Sequence, residues 1–404
     1  MNAAHEFLLI GGGLGLVAIG AGLFAARIGT PVLLVFLALG MLAGEDGPGG
    51  ITFDDFGATY LAGSVALVAI LIAGGLKTSV ATIRAVWAPS IALASLGVVL
   101  TAGIVGVVAA EGFNVPWPLA LGLGAIVAPT DAAAVASVLR ATRVAVPERV
   151  TAVLEVESGV NDPVSVFLTV LLVEIALMPA TSAGGMELLA HGGLLLLKEM
   201  GGGAVLGLAG GWVLREAVRR LPLHGDLHPV LLVTGCLALF GGAQMLEASG
   251  FLAVYVAAVL VRQGAGEAGQ ELERTFDGFA WIAQIGLFLM LGLLVTPHKL
   301  LPLLQPSLVL AAVLIVVARP VAAVLCLKPF GFSWAETGFV GWVGLRGGVP
   351  LYLAIIPVLA RVPQAERGFA AAFVIVLASL TVQGWTVAPV ARWLGLDHDR
   401  PARQ

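Results

Sequence analysis

The chain has 404 residues, of which 59% are apolar and only 11% are charged. Soluble domains contain about 45–50% apolar and about 25% charged residues, so this composition excludes a soluble globule and a disordered chain. A formal net charge of −4 provides no basic surface for nucleic acid. The sequence therefore predicts an all-α polytopic membrane protein embedded in a lipid bilayer.

Thirteen apolar runs are predicted to form transmembrane helices, because a spanning helix needs about 20 mainly apolar residues. They cover residues 5–26, 31–44, 57–75, 87–110, 117–139, 149–177, 191–221, 228–247, 250–262, 274–296, 305–328, 333–360 and 364–395. The second and ninth runs are short. The first lacks the basic start and cleavage site of a signal peptide, and twelve residues follow Arg392. We therefore expect a retained first helix and no soluble domain in this sequence.

The Lys and Arg residues are distributed unequally over the connections between these runs. Fifteen follow odd-numbered runs and four follow even-numbered runs, while Arg319 and Arg346 lie inside apolar runs. Basic loops stay cytoplasmic. The tally predicts an N-terminus outside and a C-terminus inside, in a multi-pass protein of a cell membrane, with the bacterial inner membrane expected.

The fifth and twelfth runs each contain a helix breaker and a charge near the middle. The fifth carries Pro129 and Asp131, and the twelfth carries Arg346 within the segment 344–350, which is rich in Gly and ends in Pro. Ordinary kinks are one explanation, since Pro and Gly are common in membrane helices. However, the two runs are seven apart, an odd number, which predicts an inverted repeat whose interrupted helices cross in the middle of the membrane, with the seventh run as linker.

The two charges have the signs that a broken helix requires. Asp131 follows its break, where it offsets the positive end of the next half-helix, and Arg346 is expected to offset the negative end of the half-helix before it. A bare charge at this depth costs about 2.5–3.5 kcal/mol. Both residues are therefore predicted to compensate charge beside a protein-lined or wet cavity.

The sixth run contains three acids within eight residues. Four polar residues at helical spacing share one face: Glu155, Ser158, Asp162 and Ser165. Glu157 and Asn161 are four apart on a neighbouring face. Because protons and hard monovalent cations both bind oxygen, Asp162, Ser158 and Thr130 are predicted to form one site for which the two compete.

Other roles stay open for several of these residues. Glu157 is expected to pair with a buried arginine, with Arg319 in the eleventh run first and Arg346 second. Asn161 is a ligand, a packing donor or a spacer, and Glu155 is part of the cavity wall or of the site itself. No phosphate-binding loop of the form GxxxxGK[ST] occurs, so no ATP site is predicted. We expect no cofactor, and no metal beyond the transported alkali cation.

Three motifs carry a resemblance to a known family. Residues 157–163, which read ESGVNDP, resemble the Asn-Asp motif of NhaP-type sodium (or potassium)/proton antiporters, and residues 129–131 and 344–348 resemble the two unwound-helix motifs of that family. The thirteen-helix pattern fits the whole chain. The resemblance implies secondary active exchange of protons for Na⁺ or K⁺, which is transport and not enzyme catalysis.

The resemblance also implies a homodimer in which a mobile core moves against a scaffold. The scaffold is expected to comprise helices 1–3 within residues 1–86, and linker helix 7 with helices 8–10 within 178–296. The core is expected to comprise residues 87–177 and 297–395, followed by a cytoplasmic tail at 396–404.

The same resemblance assigns roles at the site. It implies that Asp162 binds both cation and proton, that Thr130 and Ser158 are further ligands, and that Asn161 marks electroneutral exchange. Many relatives carry an acid near the end of the third span, where this sequence has Ala73. A further ligand from that span is therefore not expected.

Three rival functions are weighed against antiport. An inverted-repeat solute symporter would need a larger polar cavity than crowded carboxylates beside Thr and Ser indicate. A cation channel would need a continuous filter, for which no sequence repeat is present. An intramembrane hydrolase would need a Ser/His or metal-ligand pairing inside the apolar runs, and none occurs.

Overall fold

The computed structural model describes residues 2–28, 31–178, 192–221, 227–264 and 266–397. Within these residues, every regular element is helical. The fifteen helices of this part of the chain are α1 (Asn2–Ile28), α2 (Val32–Ala43), α3 (Phe56–Lys77), α4 (Val80–Phe113), α5 (Trp117–Ile126), α6 (Ala132–Thr142), α7 (Glu148–Leu177), α8 (Gly192–Arg220), α9 (Leu227–Met245), α10 (Gly250–Gly264), α11 (Gly266–Leu293), α12 (Pro297–Phe330), α13 (Trp334–Trp342), α14 (Gly348–Leu359) and α15 (Ala365–Trp393).

Each of the thirteen predicted runs coincides with helical residues, so the prediction of an all-α fold is confirmed. In the described residues, eight helices are long and apolar enough to cross a membrane by themselves, and several others are shorter. The number of thirteen crossings therefore stays a prediction. The start of the seventh run at residue 191, and residues 398–404 of the expected tail, lie outside the described residues.

Short polar side chains fix where several helices begin. Asp55 accepts a hydrogen bond from the N–H of Ala58 at the start of α3, at 2.8 Å. Ser333 and Glu336 form a reciprocal capping box at the start of α13. These side chains satisfy N–H groups that have no partner within the helix.

The inverted repeat is visible in paired irregularities. The fifth predicted run is interrupted at residues 127–131 and the twelfth at 343–347. The preceding helices in each half, α4 and α12, both have 34 residues and both contain a π turn, at Leu93–Gly97 and Leu314–Ala318. Matching breaks and matching π turns, each pair seven predicted spans apart, agree with the predicted repeat.

Glycine allows α2 and α11 to pack closely against each other. A Cβ atom on Gly40 of α2 would lie 2.3 Å from the carbonyl oxygen of Leu289 in α11, and one on Gly292 would lie 2.4 Å from that of Leu37. Such distances are far inside van der Waals contact, so only glycine fits at either position.

We predict that Gly40→Val separates α2 from α11 and destabilises the protein by about 1–3 kcal/mol, the usual effect of overpacking. The measurement is thermal unfolding in detergent. Gly278→Val is the matched control, because a Cβ atom at Gly278 of α11 meets nothing within 4 Å. Equal unfolding temperatures for the two variants would contradict the prediction.

Candidate functional site

The two helix breaks lie against each other. The backbone N–H of Asp131, at the end of the first break, donates to the carbonyl oxygen of Leu345 in the second at 2.8 Å. A Cβ atom on Gly347 would lie 2.2 Å from Asp131 Oδ2, so glycine is required for this contact. The predicted crossing of two interrupted helices therefore brings residues from opposite halves of the chain together.

Asp131 caps the second half of its own broken helix, as its position after the break indicates. Its Oδ1 accepts a hydrogen bond from the N–H of Ala134 at 2.9 Å, in the first turn of α6. The carboxylate therefore stabilises the positive end of that half-helix.

Arg346 corrects one part of the sequence-based expectation. Its guanidinium group donates to the carbonyl oxygens of Ala128 at 2.5 Å and Pro129 at 2.9 Å, which follow α5 in the other broken helix. It does not compensate the half-helix before it, because the crossing places the end of α5 within reach of its side chain. The carbonyl oxygen of Trp342 at the end of α13 instead accepts a hydrogen bond from Gln383 Nε2.

Sequence reasoning missed the residues that hold this second break in place. Ser379 Oγ accepts a hydrogen bond from the backbone N–H of Arg346 at 3.1 Å and donates to Gln383 Oε1 at 2.6 Å. Both residues lie on α15 and are almost fully buried. Two polar residues four positions apart inside an apolar helix are the signal that the sequence offered.

Glu157 is neutralised by Arg319. The guanidinium group donates two parallel hydrogen bonds to the two carboxylate oxygens, at 2.6 and 2.8 Å, and both side chains are buried. Of the two arginines that sequence reasoning left open, Arg319 is the partner. This geometry favours a structural role for Glu157, because a bidentate pair leaves little of its charge for an incoming ion.

Thr130 and Asn161 connect this ion pair to the first break. Asn161 Nδ2 donates to Thr130 Oγ1 at 2.9 Å, and Thr130 Oγ1 donates to Glu157 Oε1 at 3.4 Å. Ser158 Oγ donates to the backbone carbonyl of Thr130 at 2.8 Å. The amide oxygen of Asn161 is buried without a hydrogen-bond partner.

Asp162 lies on the wall of an open cavity of about 1500 Å³, which we call the main cavity. Thr130, Asp131, Ser158 and Glu155 also line it. In the described part of the chain, the carboxylate of Asp162 has neither an ion-pair partner nor a hydrogen-bond donor. Asp162 therefore differs from Glu157 and Asp131, whose carboxylates are engaged.

Residues from the other helices complete the main cavity, and sequence reasoning did not assign them to the site. Lys77, Arg140 and Asp277 line it together, and Lys77 pairs with Asp277 at 2.5 Å. Tyr255 of α10 packs on Gly159, where a Cβ atom would lie only 2.4 Å from the tyrosine ring. From the sequence, Lys77 and Arg140 are used only in the count of basic residues that predicts the orientation of the chain in the membrane.

The fold and the main cavity together define a class of protein. Broken helices that cross at the interface of two inverted repeats, with a free carboxylate on a cavity wall, are the arrangement of secondary transporters. The free oxygen atoms of this wall suit a small cation or a proton.

The chain belongs to the sodium/hydrogen exchanger family. The family model described as "Sodium/hydrogen exchanger, transmembrane" matches residues 15–393. The K(+)/H(+) antiporter NhaP of Alkalimonas amylolytica is 44% identical over 397 residues, which cover 98% of this chain and 68% of that protein. The K(+)/H(+) antiporter NhaP2 of Shewanella sp. (strain MR-4) is 43% identical over 393 residues, covering 97% and 67%.

A solved structure agrees with the fold. The sodium proton antiporter MjNhaP1 from Methanocaldococcus jannaschii at pH 8 superposes with a TM-score of 0.79 and 22% identity, covering 98% of this chain and 99% of that one. The family predicted from three motifs is thus confirmed, as is the prediction of a multi-pass membrane transporter and not an enzyme.

We predict that Glu157→Gln lowers stability by about 3–5 kcal/mol, because it leaves the Arg319 charge buried without its partner. The double variant Glu157→Gln/Arg319→Gln should recover a large part of this loss. The measurement is thermal or denaturant unfolding in detergent.

The control for this prediction is Lys198→Gln, which breaks an exposed ion pair between α8 and Glu247. Exposed pairs contribute little, so its unfolding free energy should change by less than about 1 kcal/mol. A Glu157→Gln protein as stable as the wild type would contradict a structural role for the buried pair.

Proposed function

We propose that the protein exchanges protons for a monovalent cation by alternating access around Asp162. The observation that carries this proposal is the state of the three neighbouring carboxylates. Glu157 is neutralised by Arg319 and Asp131 caps α6, whereas Asp162 faces the main cavity without a partner. Of these three acids beside the first break, it is thus the one whose carboxylate is free to exchange a bound proton for an alkali cation.

The oxygens around Asp162 suit an alkali cation. The carboxylate supplies the charge, and the Ser158 hydroxyl and Thr130 lie beside it on the cavity wall. Either Na⁺ or K⁺ fits this donor set, since both prefer oxygen. The names of the relatives that match nearly the whole chain support K⁺ as the principal substrate.

The charge balance supports one proton per cation. Asp162 can bind one proton or one monovalent cation, and because both carry a single positive charge, the net charge of the occupied site is the same in either form. Asn161, directly before the aspartate, adds no second titrating group. The exchange we propose is therefore electroneutral.

The main cavity is proposed to open to the cytoplasm. Lys77 and Arg140 line it, and both belong to connections that the basic-residue tally assigns to the cytoplasmic side. On this basis the N-terminus lies outside and the C-terminus inside. The conformation described here would then bind its cation from the cell interior.

Contacts on the other side of Asp162 support a closed outer face. The hydroxyl groups of Tyr352 in α14 and Ser64 in α3 form a hydrogen bond at 2.8 Å, and the Tyr60 ring stacks on Tyr352. The backbone N–H of His298 donates to Asp46 at 2.7 Å and holds the pKa of that carboxyl group below its ordinary value. These contacts join helices of the proposed scaffold to helices of the proposed core.

Helix packing supports the division into scaffold and core. The helices of residues 1–86 pack mainly on those of 178–296, as α11 does on α2 and α3. The helices of 87–177 and 297–395 pack mainly among themselves, as α5 does on α4 and α7. Movement of one group against the other would carry Asp162 between the two faces.

The protein is proposed to act as a homodimer in a bacterial inner membrane, as the family resemblance implies. The bacterial source of the relatives named above agrees with this membrane. Chemical cross-linking in vesicles, followed by separation under denaturing conditions, tests the dimer. A protein that runs only as a monomer after cross-linking at several lysine and cysteine positions would contradict it.

We predict that Asp162→Asn abolishes cation-dependent proton movement, because the amide carries no charge and binds neither a proton nor an alkali cation as a carboxylate does. The measurement uses vesicles that contain a pH-sensitive dye, to which K⁺, Na⁺ or Li⁺ is added. Glu174→Gln is the matched control, since it removes an exposed acid from the same helix, α7. Full exchange in Asp162→Asn would overturn the proposal.

We further predict that lower pH raises the cation concentration needed for half-maximal exchange and leaves the maximal rate largely unchanged. Protons and cations compete for one carboxylate, so a tenfold rise in proton concentration, within the range where Asp162 titrates, should raise this concentration up to about tenfold. The measurement is the exchange rate over a matrix of pH and K⁺ concentrations. A fall in maximal rate with unchanged half-saturation would exclude simple competition.

A further inference from the structure

The polar face of α7 continues beyond Asp162. Four residues at spacings of four, three and four share it: Ser158, Asp162, Ser165 and Thr169. The first two line the main cavity. Thr169, about two turns beyond Asp162, lines a second cavity. Ser165 lies between the two cavities along the helix.

The second cavity has a volume of about 710 Å³ and is surrounded by helices of the proposed core. Its walls are largely apolar, with Leu123, Leu172 and Phe369 among them, and Arg367 is the one charged residue in its lining. It is also lined by residues of two connections on the predicted outer side, namely Phe113, Val115, Val362 and Pro363. The second cavity is thus at the opposite end of α7 from the mouth of the main cavity.

Within the described residues, the hydroxyl groups of Ser165 and Thr169 have no hydrogen-bond partner although both side chains are fully buried. A buried hydroxyl on a helix ordinarily donates to the carbonyl one turn back, as Thr101 of α4 does to Gly97 at 2.7 Å. An unpartnered hydroxyl bears the whole desolvation penalty of the group. Two such groups in succession, on the face that carries Asp162, indicate that their partner is present only in another conformation.

We propose that Ser165 and Thr169 bind water when the transporter opens to its other side, and that this water carries protons between the second cavity and Asp162. A proton passes from water at Thr169 to water at Ser165 and on to the carboxylate, and each intervening oxygen accepts one proton and releases another. In the present conformation the path is closed at Ser165, so Asp162 communicates with the main cavity alone. The apolar walls and the positive charge of Arg367 disfavour an alkali cation on this path. This inference rests on the proposed antiport function.

The test compares the variants Ser165→Ala, Thr169→Val and their combination in vesicles of known protein orientation. We expect the double variant to exchange several-fold more slowly. We also expect it to need a lower pH on the second-cavity side to reach a given exchange rate. The half-saturating K⁺ concentration on the main-cavity side should be unchanged, because Asp162 and Ser158 are intact. Thermal stability should be equal to or higher than that of the wild type, because the unpartnered hydroxyls are gone.

Two further variants make the test specific. Thr169→Ser keeps the hydroxyl and should keep the wild-type rate and pH dependence. Thr101→Val removes a buried hydroxyl that has its partner, away from the path, and should lower stability without changing the pH dependence of exchange.

Three results would overturn the inference. The first is wild-type exchange and pH dependence in the double variant. The second is equal loss of rate in Thr169→Ser and Thr169→Val. The third is a loss of rate accompanied by lower stability and weaker K⁺ binding, which would make the hydroxyls structural. Failure of the antiport proposal itself is seen separately, as exchange that persists in Asp162→Asn.

Discussion

The rest of the structure depends on how two helices can end inside an apolar environment. A helix end exposes N–H or C=O groups without partners, and a bilayer contains no water to satisfy them. Here the two breaks satisfy each other. Asp131 donates its backbone N–H to Leu345, and Arg346 donates to the two carbonyl oxygens that follow α5. The crossing therefore stabilises the irregular backbone beside which an ion site can form.

Charge compensation at the crossing also distinguishes the acid that we propose as the exchanging group from its neighbours. Three carboxylates lie close to the first break, and two of them have engaged oxygens: Glu157 with Arg319, and Asp131 with the N-terminus of α6. A buried ion pair contributes little net stability relative to apolar packing, yet it fixes the geometry of its neighbours. The Glu157 pair fixes Thr130, and through it Asn161, whereas the carboxylate of Asp162 on the wall of the main cavity has no such partner within the described residues.

Much of this arrangement could be predicted from the sequence because it is local. Hydropathy gives the helices, Pro129 and the glycines after Arg346 give the breaks, and helical spacing separates Asp162 from Glu157 on α7. These features depend on neighbours a few residues away, so they need no knowledge of the tertiary fold.

The parts that could not be predicted depend on residues distant in the sequence. The carbonyl oxygens that Arg346 contacts lie more than 200 positions earlier. Ser379, which donates to Gln383, contacts Arg346 from another helix. The ring of Tyr255 on α10 packs against Gly159. The two π turns lie in mainly apolar segments, and the sequence did not predict them. In each case, the packing between helices determines the contact partner or the local backbone geometry. Several different local sequences would permit the same result.

A transporter also has to avoid one conformation that is too stable. Two states exchange readily only if their free energies differ by no more than a few kcal/mol. A state in which every polar group was satisfied would be much more stable than the other state, so the protein would remain in it. The described conformation contains unsatisfied buried groups on α7, namely the amide oxygen of Asn161 and the hydroxyls of Ser165 and Thr169. In the proposed mechanism, water or a cation satisfies these groups after the helices have moved. The helix that carries Asp162 would thus also carry part of the free energy that favours leaving this state.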